Sequence, residues 1–151
     1  MLFRSGYSTL LAFSGAGAVI GALIVAWMGH VAHKGRWALL MMVAFGVFVM
    51  AFSQSRLYAL SCFFLFLGGI SLLSVFAMIN SLVQLLAPEE LRGRILSVYN
   101  VAFRGGMPLG NLVTGFAAKA WSPESALLAN GAALALVAGY FLLAERRVSR
   151  L

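Results

Sequence analysis

Apolar residues gather into five long runs, and short segments holding most of the charge separate them. The runs span residues 8–28, 37–54, 57–86, 95–118 and 126–144. A transmembrane helix needs about 20 predominantly apolar residues, and each run approaches or exceeds that length. The second reaches it only by including Ser53 and Gln54, and the third is long enough to tilt or to project beyond the bilayer. Trp27, Trp37 and Trp121 fall at run ends, where amphipathic rings favour the membrane interface. The pattern predicts an all-α membrane protein of five transmembrane helices, joined by loops too short for a separate folded domain.

Composition agrees. The chain is 62% hydrophobic and 10% charged, against about 25% charged residues in a typical soluble domain. The net charge of +7 comes from cations scattered between apolar runs, so nucleic acid is not an expected partner. The bilayer is. A lone cysteine, Cys62, gives neither a disulfide framework nor a CxxC pair. The first run is too long for a signal-peptide core, and a second span follows it almost at once. His30 and His33 share one loop with no Cys, Asp or Glu beside them, so neither a metal nor a cofactor is expected.

Loop charge sets the expected orientation. Lys34, Arg36, Arg92, Arg94, Arg146, Arg147 and Arg150 fall on one side of the membrane, and Arg4, Arg56 and Lys119 on the other. The side with seven is read as cytoplasmic, which places the C-terminus inside and the N-terminus outside.

The eleventh cation, Arg104, lies deep within the fourth run with no acidic residue in helical reach. It is ten residues past Arg94, or about 15 Å along a helix. It is either an anchor snorkelling to the interface or a cation facing a cavity or a partner helix. Its depth favours the second. At 100° per residue, Asn100 and Asn111 lie within about 40° of Arg104, and Gly106 and Gly110 lie on a different side. Pro108 between them frees a carbonyl and permits a kink. In the third run, Asn80 and Gln84 stand one turn apart, serving either interhelical hydrogen bonds or a polar ligand path. The substrate-path candidates are therefore Arg104, Asn100, Asn111, Asn80 and Gln84. Gly17 and Gly21, like Gly106 and Gly110, are spaced for close helix packing. The second and fifth runs carry almost no polar residue and read as outer helices, so Gly46 is expected to face lipid or a loose contact.

The segment Pro88-Glu89-Glu90-Leu91-Arg92-Gly93-Arg94, followed by Ala102-Phe103-Arg104-Gly105-Gly106-Met107-Pro108-Leu109-Gly110, resembles the stretch entering the eleventh helix of major facilitator superfamily transporters, especially their multidrug and siderophore exporter branch. Pro88 suits a helix first turn, and Glu89 and Glu90 suit its positive end. The first loop, Gly29 to Arg36, resembles the family's G-x-x-x-D-R-x-G-R loop. Here His33 stands where the aspartate would be and one residue before Gly35 is missing, which removes the acid of a helix-end lock. The resemblance covers nearly the whole chain and implies that the five runs correspond to helices eight to twelve of twelve. The first, third and fourth would then approach the cavity or the opposite half. Glu89, Glu90, Arg92, Arg94, Lys34 and Arg36 become candidates for a cytoplasmic gate. On this resemblance the chain is a fragment that lacks the N-terminal half of the transporter, the partner it would need.

The functional expectation is the C-terminal part of a secondary exporter of small amphipathic molecules in a bacterial cytoplasmic (inner) membrane, working by alternating access when complete. The resemblance implies proton antiport, yet all four acids lie in loops or at helix ends. A small oligomeric multidrug exporter would need an intramembrane acid. A non-transporting scaffold or subunit, assembled through small-residue faces, is the alternative. No nucleophile–base pair or phosphate loop points to an enzyme.

Overall fold

Hydrocarbon offers no partner to a free N–H or C=O, so a run that crosses it must satisfy its backbone internally, which a helix does. The computed structural model describes residues 2–27 and 34–148, with side chains placed for 6–27 and 34–144. Five helices result: α1 (Leu2–Trp27), α2 (Lys34–Gln54), α3 (Tyr58–Leu86), α4 (Arg92–Ala120) and α5 (Pro123–Val148). There is no strand among the described residues. Each helix contains one predicted run almost entirely. Met28 and the loop with His30 and His33 lie outside the described residues.

Helix ends follow local chemistry. Pro123 opens α5, where its missing N–H costs nothing. Ser122 caps that helix, its Oγ accepting the Ser125 N–H at 3.1 Å. At the end of α3, Ala87 is extended (φ −75°, ψ 127°), as a residue before proline prefers. Pro88 is thus not in the first turn of α4. It starts a separate turn, closed by the Leu91 N–H on the Pro88 carbonyl at 3.0 Å, and α4 begins only at Arg92. Glu89 and Glu90 sit in that turn, outside the first turn of the helix.

Glycine contacts build the bundle. α1 and α3 run parallel: a Cβ on Gly17 or Gly21 would strike the main chain of Phe66 or Ile70, and one on Gly69 the carbonyl of Ser14. Backbones this close allow the buried Ser74 hydroxyl to donate across to the Gly21 carbonyl at 3.4 Å. α2 and α5 run antiparallel, with Gly46 against Gly131. A Cβ on Gly46 would lie 2.7 Å from the Gly131 carbonyl oxygen and 3.1 Å from the Ala135 Cβ. Gly46 therefore occupies a tight helix–helix contact rather than a lipid face. Helix contacts made by backbone alone leave no mark in the pattern of polar residues.

α3 is the centre, touching α1, α2 and α4. Among the described residues the backbone of α5 comes close to α2 and α4 but not to α3, and that of α1 to α3 alone. Four helices, α1, α2, α3 and α5, contain stretches long and apolar enough to cross a membrane. α4 matches α3 in length, at 29 residues, but its cations and amides keep it out of that group.

Candidate functional site

α4 has three sectors. Leu96, Tyr99, Phe103, Thr114 and Ala117 form the half-covered side that meets the bundle. Phe103 sets its ring edge-on against Phe76 of α3 at 4.5 Å between centroids. Thr114 Oγ1 accepts a hydrogen bond from Asn130 Nδ2 of α5 at 3.0 Å. On the far side, Val98, Val101, Leu109, Leu112 and Phe116 form an exposed apolar stripe, as a lipid-facing surface would. Between these sectors, about 40–80° round the helix from Leu96, lie Asn100, Arg104 and Asn111.

All three are exposed. Arg104 has no hydrogen bond or ion pair among the described residues. It stands near the middle of α4, roughly 18 Å along the axis from Arg92. Its guanidinium offers five N–H donors in a fixed plane and stays charged. Two flanking amides supply both donors and acceptors. The stripe can therefore bind an anionic or strongly polar group through charge-assisted hydrogen bonds. It supplies no carboxylate for carrying a proton.

The other candidates are placed as follows. Asn80 and Gln84 bond to each other, Gln84 Nε2 donating to Asn80 Oδ1 at 2.9 Å along α3, and not to a second helix. Phe76, one turn before Asn80, meets Phe103, so the α3 amides and Asn100 lie at similar depth on antiparallel neighbours. Gly106 and Gly110 have nothing within 4 Å of an added Cβ, so neither marks a close contact within the described chain. Gly17 and Gly21 stand directly against α3. Of the gate candidates, Lys34 donates to Ser81 Oγ at 3.1 Å, tying the start of α2 to the end of α3. Arg36, Glu89, Glu90, Arg92 and Arg94 are exposed. α4 continues through Pro108 without interruption.

Sequence reasoning missed the Asn130–Thr114 tie, which holds α4 to α5. Asn130 was visible as the only amide of the fifth run, and its i, i+16 partner was not. It also missed three grooves, of about 550, 560 and 220 Å³, between α2, α3 and α5, along α1 and α3, and beside the aromatic cluster of α2 and α3, where Ser14 of α1 and Leu127 of α5 complete the wall. None is lined by Arg104, Asn100 or Asn111.

α4 thus carries a polar stripe beside an exposed apolar back. The profile described as "transmembrane secretion effector" matches residues 4–150. The chain belongs to this family, of the major facilitator type. No curated protein and no solved structure matches it. As a member of this family with four helices long and apolar enough to cross a membrane, it is an integral membrane protein. The match takes in all of α4 and its polar stripe.

Proposed function

We propose that this chain forms the C-terminal part of a secondary active exporter of small amphipathic molecules. It resides in a bacterial cytoplasmic membrane with its C-terminus inside, and works by alternating access against an N-terminal half. The observation that carries the reading is the unpaired Arg104, exposed between Asn100 and Asn111 on a helix whose back is apolar. A cation held at that depth costs roughly 2.5–3.5 kcal/mol on insertion scales, a cost relieved when it faces water, substrate or a second half. Asn80 and Gln84 of α3 extend the polar surface at similar depth. A proton-carrying carboxylate, if antiport is the mode, would come from the other half. Arg92, Arg94, Lys34 and Arg36 would hold the cytoplasmic boundary.

A scaffold reading draws on Gly106 and Gly110, which lie open and could receive another helix. One experiment separates the two. In cells stripped of competing exporters, with the gene in its native genomic context, efflux of a fluorescent amphipathic dye is followed. Arg104→Ala should reduce efflux at unchanged abundance, and Arg104→Lys should restore it only in part, because a point ammonium does not reproduce the planar fork. Normal efflux by Arg104→Ala at normal abundance refutes the proposal. Loss of the protein itself would make Arg104 a structural tie.

A further inference from the structure

One groove sits at the end of the bundle where the loop cations gather, and its walls are unlike the α4 stripe. α2 forms its floor through Gly35, Ala38, Leu39 and Met42. α3 supplies Val75, Ile79 and Leu82, and α5 supplies Phe141 and Ala144. It lies where α2 packs on both α3 and α5 while the backbones of those two stay apart among the described residues. The space is about 550 Å³, within the roughly 300–1,000 Å³ of ordinary ligand sites. From Gly35 to Met42 it extends about 10 Å along the helix. Every lining side chain is apolar.

The rim is charged. Lys34 precedes Gly35, and its ammonium reaches Ser81, the neighbour of Leu82. One of its three donors is used there and two remain. Arg36 follows Gly35 and is exposed. At 100° per residue, Lys34 and Arg36 flank the lining stripe of α2 on opposite sides, each about 100° from Gly35. The lining is thus an apolar slot about 10 Å long beneath two cations.

We infer that this groove is a binding site for an anionic phospholipid, with an acyl chain between α3 and α5 and the phosphate held by Lys34 and Arg36. Charge complementarity selects the occupant. A neutral hydrocarbon would fill the slot and leave the two cations unused. A free phosphate would use the cations and leave the apolar walls empty. Only a molecule with both parts matches both, and basic pockets between transmembrane helices bind anionic headgroups on this basis.

The test is native mass spectrometry of the full chain released from detergent, titrated with phosphatidylglycerol or with phosphatidylcholine of identical acyl chains. The expected result is a phosphatidylglycerol adduct favoured over the phosphatidylcholine adduct. Lys34→Gln and Arg36→Gln are each expected to lower that preference about fivefold, the equivalent of about 1 kcal/mol per surface cation. Arg36 is exposed, so its substitution leaves the packing intact, and Lys34→Gln removes one interhelix hydrogen bond, to Ser81, together with the charge. Gly35→Phe tests the slot: a Cβ there meets only the tip of Leu82 at 4.0 Å, so the ring can enter the groove and displace the acyl chain. Equal affinity for the two lipids, or a preference unchanged in the Lys34→Gln/Arg36→Gln double variant, overturns the headgroup assignment. Undiminished phosphatidylglycerol binding by folded Gly35→Phe overturns the slot.

Discussion

Gly21→Ala and Gly106→Ala add the same methyl group to two helix glycines, and the structure gives them opposite outcomes. At Gly21 the new Cβ meets the Ile70 carbonyl oxygen, with its carbonyl carbon and Cα each at 3.0 Å. Carbon atoms in good contact stand about 3.5–4.0 Å apart, so the two backbones must retreat by roughly 0.5–1 Å. The neighbour is main chain and cannot rotate aside. Overpacking of this kind costs about 1–3 kcal/mol. The retreat also lengthens the Ser74–Gly21 hydrogen bond, already 3.4 Å, at a further cost of about 0.6 kcal/mol. Replacing a helical glycine by alanine returns about 1 kcal/mol of propensity. The expected net loss is about 0.5–2.5 kcal/mol. At Gly106 nothing lies within 4 Å, so only the favourable contribution remains, at most about 1 kcal/mol. Reversible unfolding in mixed detergent–dodecyl sulfate micelles, followed by helicity, measures both. Equal midpoints for the two variants, or a more stable Gly21→Ala, would refute the account of α1–α3 packing.

Two further outcomes follow. Asn130→Ala and Thr114→Val should show a coupling energy of about 0.6 kcal/mol in a double-mutant cycle, since they share one interhelical hydrogen bond; no coupling would mean that the α4–α5 tie does not form. A reporter active only in the cytoplasm, fused after Leu151, should be active because the side with seven loop cations is retained inside; an expressed but inactive fusion reverses the orientation.

The five helices were legible because hydrocarbon imposes one solution on a long apolar run, and loop chemistry then set their ends to within a few residues. The polar stripe on α4 was legible for the same reason: 100° per residue needs no tertiary information. Packing was not. Gly17, Gly21, Gly46, Gly106 and Gly110 look alike in sequence, yet three lie against a neighbouring backbone and two lie open. The difference depends on which helix happens to pass, and spacing along one helix carries no record of that. Asn80 and Gln84 show a related limit. A pair of amides one turn apart can reach across to a partner or satisfy each other, and here they do the second. The groove above Gly35 was also invisible, since it depends on how far apart the α3 and α5 backbones stand.

The central claim is that the Asn100–Arg104–Asn111 stripe faces a water-accessible path while the opposite side of α4 faces lipid. Single cysteines at Asn100, Arg104, Asn111, Leu109 and Phe116, in a Cys62→Ala background, test it with a water-soluble, membrane-impermeant maleimide applied to the native protein in inside-out and right-side-out vesicles. The account predicts labelling at 100, 104 and 111 from at least one side, and none at 109 or 116. Equal labelling at all five positions, or none at the three stripe positions from either side, would contradict it.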